Sequence, residues 1–222
     1  MQKKFDTPDQ ISAVLDIPAG RVRFIAADRS DTVVEVLSAN AANGRDVKAA
    51  QQVTAEYANG VLRIEALVKN RILGSPGSVE VTVQLPAGSR VEAKVASAEF
   101  RTVGRLGDVT LEAAQASVKV DEAASARLAV LAGDVSVGRL GGDAEISTSK
   151  GDLRIAEAVR GTVVLRTEAG SITVGAAAGV SASLDAGTTL GRIHNSLRNT
   201  EGTADLNIHA TTTVGDITAR SL

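Results

Sequence analysis

A short pattern of alternating apolar and polar residues recurs along the second half of the chain. From about Gly104 onward, a glycine, often followed by Asp or Ser, precedes an apolar-polar-apolar triplet. Alternation with a period of two is typical of a strand with one buried face. The pattern therefore predicts a series of short strands at Gly107–Leu111, Gly133–Val137, Gly151–Ile155, Gly170–Val174 and Gly215–Ala219.

The apolar positions form two interleaved series, each with a spacing near 17 to 19 residues. A flanking phrase repeats as well, since Val-Gly-Arg-Leu-Gly-Asp at 103–108 returns as Val-Gly-Arg-Leu-Gly-Gly-Asp at 137–143. Repetition at a fixed period indicates a repeat architecture. One series runs through Val103, Val120, Val137, Ile155 and Val174, and the other through Leu111, Leu128, Ile146, Leu165 and Leu184.

Repeats of this length hold two short strands and two corners, without room for a crossover helix. We therefore predict that residues 104–222 form a parallel β-solenoid, in which successive coils stack and their inward Val, Ile and Leu side chains form ladders. Glycine suits the corners because it adopts positive φ, and an adjacent Asp or Ser can bond neighbouring amides. The general preference for right-handed crossovers favours a right-handed coil. The polar segment from Ser196 to Asp205 lengthens the spacing and predicts an irregular last coil.

Residues 1–103 lack this period but also read as strands. Asn59-Gly60 between two apolar runs indicates a hairpin, and a short helix is predicted at Asp46–Gln52. We expect an antiparallel β meander that caps or extends the solenoid, in one continuous unit with it, because no Pro- or Ser-rich linker intervenes. The predicted strands cover Ile11–Ile17, Arg21–Ala26, Thr32–Leu37, Val53–Tyr57, Val61–Leu67 and Val79–Leu85.

Composition narrows the range of functions. Aromatic residues make up 2% of the chain, so aliphatic side chains must build the core of this all-β fold. A net charge of -2 gives the chain no excess of positive charge with which to bind nucleic acid. The absence of cysteine excludes disulfides and thiolate metal sites. We expect a cytoplasmic protein without direct membrane insertion, because no apolar stretch reaches the length of a span or a secretory signal.

The chain resembles a bacterial family of putative adhesins of unknown function, the toastrack domains. The resemblance rests on the N-terminal strands, the Leu85-Pro86-Ala87-Gly88 turn and the recurrent Gly-Asp-Val-x-Val and Gly-Ser-Ile-x-Val units. It implies a β-solenoid used in cell-envelope or signalling assemblies, and it supplies no catalytic residues.

Neither the histidines nor the corner aspartates favour a metal site. His194 and His209 are predicted on different faces, and the chain has no His-x-His or His-x-x-x-His spacing. Stacked Gly-Asp corners can bind calcium in other solenoids, but Ser171, Thr162 and Arg192 stand at equivalent places here. Turn formation explains the aspartates better, and we predict no metal and no cofactor.

One outward column of the predicted solenoid mixes cationic and hydroxyl groups. Such a column could line a polysaccharide groove, but grooves of this kind usually carry aromatic side chains that stack on the sugars, and the chain has no Trp. It could also form a threonine array for ice binding, but Lys119 and Arg154 interrupt the hydroxyls. A solvated sheet face and a partner-facing strip remain as the interpretations. The strip comprises Lys119, Ser136, Arg154, Thr173, His194 and Thr218.

Nucleophile elbows, phosphate loops and dinucleotide motifs are absent from the sequence. We therefore predict a non-enzymatic scaffold that binds a protein partner, including a second copy of itself. Two alternatives stay open. The first is a self-assembling solenoid that forms filaments like those of bactofilins, and the second is a surface adhesin or glycan-binding protein.

Overall fold

The computed structural model describes residues 1–66, 77–199 and 203–222. The chain divides into two compact units, Met1–Ala116 and Ser117–Leu222. The division predicted from sequence, at 103/104, stays a prediction. The second unit has the predicted parallel β-solenoid pairing, and the all-β class is confirmed throughout the described residues.

The N-terminal unit consists of strands and one helix within its described residues. Strand β8 begins in this unit and runs on into the second. The elements are β1 (Gln2–Asp6), β2 (Ser12–Ala27), β3 (Asp31–Ser38), α1 (Gly44–Gln52), β4 (Val53–Ala58), β5 (Val61–Ala66), β6 (Val79–Pro86), β7 (Arg90–Val103) and β8 (Arg105–Ala132).

Strand direction in this unit is mixed. The predicted antiparallel pairing is present between β1 and β3, β3 and β6, and β4 and β5. However, β2 runs parallel to β5, β6 and β7, and its register with β7 extends from Ser12 opposite Arg90 to Ile25 opposite Val103. The expectation of a purely antiparallel meander needs this correction. Alternating residues reveal which face of a strand is buried, but not the direction of its partner.

The predicted helix and hairpin are both present. Helix α1 begins two residues before the predicted start, where the Asn43 side chain accepts a hydrogen bond from the Arg45 amide. Asn59 and Gly60 have φ of 52° and 77°, as a type I′ turn requires between β4 and β5. The predicted end of the following strand, Leu67, lies outside the described residues.

The C-terminal unit continues β8 and adds nine further strands in its described residues. They are β9 (Val135–Leu140), β10 (Ala144–Lys150), β11 (Leu153–Ala158), β12 (Gly161–Ala169), β13 (Ile172–Ala176), β14 (Ala182–Leu190), β15 (Ile193–Ser196), β16 (Leu206–Val214) and β17 (Ile217–Ser221).

The first predicted ladder is confirmed over four coils. Val120 lies opposite Val137, Val137 opposite Ile155, and Ile155 opposite Val174, all in parallel pairs, and each side chain is at most 3% exposed. Val103 is not a rung of this ladder. It is 37% exposed, whereas the adjacent Thr102 is buried, so the inward-facing position there lies one residue before the predicted one.

The second ladder follows the prediction from Leu128 to Leu165. Leu128 lies opposite Ile146, and Ile146 opposite Leu165. The next rungs are Ala210 and then Ala186, rather than Leu184. Leu184 occupies a different column, beside Ile208. This part of the prediction was wrong because it kept the spacing of 17 to 19 residues, whereas Ala186 follows Leu165 by 21 residues and the C-terminal coil lies between their strands.

The last two coils exchange their order in the stack. Strands β16 and β17 pair on one side with β12 and β13. On the other side they pair with β14 and β15. The C-terminal coil is thus inserted between two coils that precede it in sequence. It is regular, which corrects the expected irregular last coil. Part of the polar segment from Ser196 to Asp205 lies outside the described residues, at 200–202.

Candidate interaction surface

The six residues predicted as a partner-facing strip lie in one unbroken row. Each occupies the same register position on successive parallel strands, so every member has the next as its direct neighbour. The order along the stack is Lys119, Ser136, Arg154, Thr173, Thr218 and His194. We call this row the outer strip.

Its length follows from the spacing of strands. Adjacent strands in a sheet are about 4.8 Å apart, so five steps give a row about 24 Å long. The inserted coil determines the sequence of groups along it. Thr218 stands between Thr173 and His194, whereas their order in the chain would place His194 directly beside Thr173.

Exposure differs between the charged or imidazole groups and the hydroxyl groups of the outer strip. Lys119, Arg154 and His194 are exposed, while the three hydroxyl residues between them are half-buried. Within the described ranges, the ion pairs closer than 4 Å include neither Lys119 nor Arg154. The strip therefore presents two cationic groups to solvent without intramolecular carboxylate partners.

Arginines on other outward rows of the same unit are paired with carboxylates. Arg139 lies between Glu122 and Glu157 and pairs with both carboxylates. On the other strand series, Glu145 pairs with Arg127 at 3.8 Å and with Arg166 at 3.5 Å. Cross-strand pairs of this kind leave these arginines less available to a partner than Lys119 and Arg154 are.

The two histidines belong to different strand series. His194 ends the outer strip on β15, whereas His209 lies on β16 and its Nδ1 is 3.3 Å from an Asp185 carboxylate oxygen. Among the described residues, no group of three or more His, Cys, Asp or Glu is arranged to hold a metal ion.

The corner aspartates bond the backbone of the next coil in the stack. Asp134 accepts the Asp152 amide at 2.8 Å, and Asp152 accepts the Ser171 amide at 2.7 Å. Asp216 accepts the Arg192 amide at 2.8 Å in the same way. Thr162 belongs to the opposite corner, where Asp143 accepts its amide. The Gly-Asp repeats thus join neighbouring corners by hydrogen bonds, in line with the prediction that a corner Asp bonds neighbouring amides.

A ladder of four threonines, three of them buried and Thr188 half-buried, is a feature that the sequence reasoning missed. Each threonine hydroxyl donates to a corner-glycine carbonyl of the adjoining coil, over distances from 3.0 to 3.4 Å. The signal was available, because Thr-x-x-Gly occurs four times at coil spacing. The donor and acceptor pairs are Thr148 with Gly133, Thr167 with Gly151, Thr212 with Gly170 and Thr188 with Gly215.

Two neighbouring coils of the ladder show why the corners need glycine. Gly151 and Gly170 have φ of 147° and 158°, and a Cβ on either would overlap a carbonyl of the preceding corner. Residues other than glycine rarely adopt such φ values. Threonine and glycine together therefore hold neighbouring corners in close contact.

No helix among the described residues is long and apolar enough to cross a membrane. An open apolar depression of about 280 Å³ lies between α1 and β3 in the N-terminal unit, lined in part by Met1, Leu37 and Val47. It contains none of the strip residues.

Parallel coils, glycine corners and a row of outward polar groups define a β-solenoid repeat protein. The profile of the Toastrack DUF4097 family matches residues 14–221, and the chain belongs to that family. The expected resemblance to toastrack domains is thereby confirmed.

Three solved structures are similar to this chain. A putative adhesin from Parabacteroides distasonis is 16% identical, with 98% of this chain and 96% of that chain covered and a TM-score of 0.47. A putative lipid binding protein from the same species is 12% identical, with 98% and 96% covered and a TM-score of 0.48. A putative adhesin from Bacteroides fragilis is 11% identical, with 99% and 96% covered and a TM-score of 0.47. A comparison with curated protein sequences found no match.

Proposed function

We propose that this chain is a non-enzymatic interaction module that binds the acidic, polar surface of a protein partner through the outer strip. The observation that carries the proposal is the uninterrupted register of the six residues, with Lys119 and Arg154 exposed and outside the ion pairs of the described chain. Complementary charge favours an acidic partner.

Rigidity supports this function. The corner aspartates and the threonine ladder hold successive coils in fixed register, so the strip needs no rearrangement before it binds. A surface that is already ordered loses less conformational entropy on association. The hydroxyls of Ser136 and Thr173 lie between the cations, where they can donate to carboxylates or carbonyls of the partner.

The proposal assigns no chemical step to the strip. Thr218 and His194 are neighbours in it, but no hydrogen bond joins their side chains among the described residues, so the pair lacks the contact that activates a hydroxyl nucleophile. We assign binding alone to the surface.

Charge reversal tests this proposal. The variant Lys119→Glu with Arg154→Glu should lose co-purification of the crosslinked partner from native cells, while its Tm changes by a degree or two as expected for exposed sites. The matched control is Lys150→Glu with Arg105→Glu, which reverses two exposed cations that lie outside the strip and outside the ion pairs of the described residues. Equal capture by wild type and the strip variant would overturn the proposal.

A filament is a second candidate, because one observation favours it. In the part of the chain that the structure describes, β14 and β15 each pair with another strand on one side only, and on the outer edge of β14 the Ala182 amide donates to the Arg198 carbonyl. The rest of this end of the stack has open strand edges. Light scattering separates the two functions: a filament grows with protein concentration, whereas a module that binds another protein stays monodisperse.

The roles in the cell envelope or in signalling, the adhesin and glycan-binding alternatives and the cytoplasmic location remain predictions from sequence. Fractionation of native cells with an antibody against this chain measures the location directly. Recovery with the envelope rather than the cytoplasm would contradict the expected location and would favour the envelope role.

A further inference from the structure

We infer that the open end of the stack, at β15, is a second binding site, which takes an acidic extended peptide segment as an added strand. This inference does not rest on the outer strip as the principal surface, because a different set of cations carries it. The site comprises the β15 edge together with Arg192, Arg198 and Arg220, and we call it the β15 edge site.

Backbone geometry provides the first argument. The Arg192 carbonyl accepts the Ile217 amide, so Arg192, His194 and Ser196 direct their backbone groups toward β17. A residue's N–H and C=O project to the same side of a strand, and successive residues alternate. The backbone groups of Ile193 and Asn195 therefore face away from the stack, where the described residues place no partner strand.

The core also ends at this edge. Ile193 continues the inward column of Leu153, Ile172 and Ile217, whose members are at most 1% exposed. Ile193 itself is 44% exposed because no further coil covers it. An added strand would place an apolar side chain over Ile193, and would bury this surface as each coil buries that of its neighbour.

Charge selects the chemistry of the added strand. Arg192 and Arg198 flank β15, and Arg220 lies directly beside Ser196 in the adjacent strand. All three are exposed, and none belongs to an ion pair closer than 4 Å among the described residues. Side chains alternate across a strand, so a peptide with an apolar residue over Ile193 would direct its acidic residues to the face that bears His194.

The same cations disfavour a second copy of this end. A symmetric pairing of two β15 edges would bring Arg192, Arg198 and Arg220 of one chain toward those of the other, and like charges in direct opposition are destabilising. The neighbouring β14 edge is also unsuited to an acidic segment, because Asp185 projects from it. An acidic peptide is therefore confined to β15, and such a short edge makes the interaction weak and exchangeable.

The test uses a fluorescein-labelled peptide of seven alternating glutamate and valine residues, measured by anisotropy against the full chain at low salt. We expect saturable binding that falls at least tenfold in Arg192→Glu with Arg220→Glu. Affinity should be kept by Arg192→Lys with Arg220→Lys and by the Lys119→Glu and Arg154→Glu variant. A lysine-valine peptide of the same length should not bind.

A second peptide separates strand addition from simple charge attraction. Backbone N-methylation at alternate residues keeps every charge but removes the amide donors that face β15, and it should abolish binding. Equal binding of the methylated peptide would overturn the inference. Unchanged binding of the parent peptide by the Arg192→Glu and Arg220→Glu variant would also overturn it. The same holds if the parent peptide shows no saturable binding, or if the chain binds phosphatidylglycerol vesicles instead of the peptide.

Discussion

The hydroxyl of Thr212 donates to the carbonyl oxygen of Gly170 at 3.0 Å, although 42 residues separate them in sequence. The equivalent bonds of Thr148 and Thr167 join residues only 15 and 16 positions apart. The longer separation arises because the C-terminal coil is inserted beside Gly170, in the place where the next coil of the chain would otherwise stack. This hydrogen bond therefore joins the last coil to the rest of the unit.

Removing that hydroxyl should destabilise the protein. Thr212→Val keeps the shape of the buried side chain but removes the hydroxyl that donates to the half-buried Gly170 carbonyl, so the free energy of unfolding should fall by about 1–3 kcal/mol. Urea denaturation measures the change. Thr211→Val is the control on the adjacent exposed position and should change stability by less than about 0.5 kcal/mol. Equal effects in both variants would contradict a role for the threonine ladder.

The corner glycines give a second prediction. Gly151→Ala combines a φ of 147° with overlap between the new Cβ and the Gly133 carbonyl, so it should destabilise by at least about 2 kcal/mol. Gly187→Ala should be tolerated, because a Cβ there meets nothing within 4 Å. Thermal unfolding of both variants measures the contrast, and a Gly151→Ala protein as stable as Gly187→Ala would show that the corner has room.

The aliphatic ladder is tested by a buried charge. Ile155→Asp places a carboxylate between Val137 and Val174, where no cation is available, and it should unfold or aggregate the protein because an unpaired buried charge costs several kcal/mol. Ala156→Asp is its control on the exposed face. Circular dichroism and size-exclusion chromatography follow the outcome. A soluble Ile155→Asp variant with the wild-type Tm would contradict the register.

Much of the C-terminal unit could be predicted from sequence because a strand with one buried face repeats the same alternation in every coil. The rungs Val120, Val137 and Ile155 follow directly from their spacing. The inserted coil could not be predicted in the same way. Thr218 and His194 both follow an apolar residue in a Gly-x-Ile phrase, so pattern alone does not decide which of them stacks on Thr173.

The outer strip shows the same limit. Alternation correctly assigned its six members to one outward column, because a residue that lies between two inward-facing residues of a strand must face outward. Their order and their freedom from ion pairs depend on three-dimensional neighbours instead. Arg139 is as exposed as its sequence suggests, yet it is neutralised by Glu122 and Glu157 on adjacent coils.

A surface carboxylate in the N-terminal unit gives a prediction for pH. Arg29 donates to Asp31 at 2.8 Å and Lys4 lies 3.0 Å from the same carboxylate, and these bonds lower the pKa of Asp31 to about 2. Because the pKa is lower in the folded state, the carboxylate stabilises the fold above its unfolded pKa of about 3.9, and this contribution is lost as pH falls toward 2.

Carbon-detected NMR titration of the Asp31 carboxyl should therefore give a midpoint well below that of an ordinary aspartate. Arg29→Met should raise this midpoint, because it removes the strongest hydrogen bond to the carboxylate. A wild-type midpoint near 3.9 would show that the two cations do not hold the carboxylate in solution.

The order of the groups along the outer strip depends on the insertion of the C-terminal coil, and disulfide trapping measures that order most directly. The chain contains no cysteine, so any pair introduced is unambiguous. Thr173 and Thr218 occupy directly opposed positions on adjacent strands, about 4.8 Å apart and within the Cα range of a disulfide. Thr173 and His194 are two strands apart, at about 10 Å, which is beyond that range.

Under mild oxidation, Thr173→Cys with Thr218→Cys should therefore form an intramolecular disulfide nearly completely, and Thr173→Cys with His194→Cys should remain reduced. Mass spectrometry after alkylation reads both results. The reverse outcome, with Cys at 173 joined to Cys at 194 and unreactive toward Cys at 218, would show that the coils stack in chain order and that the outer strip has a different sequence of groups.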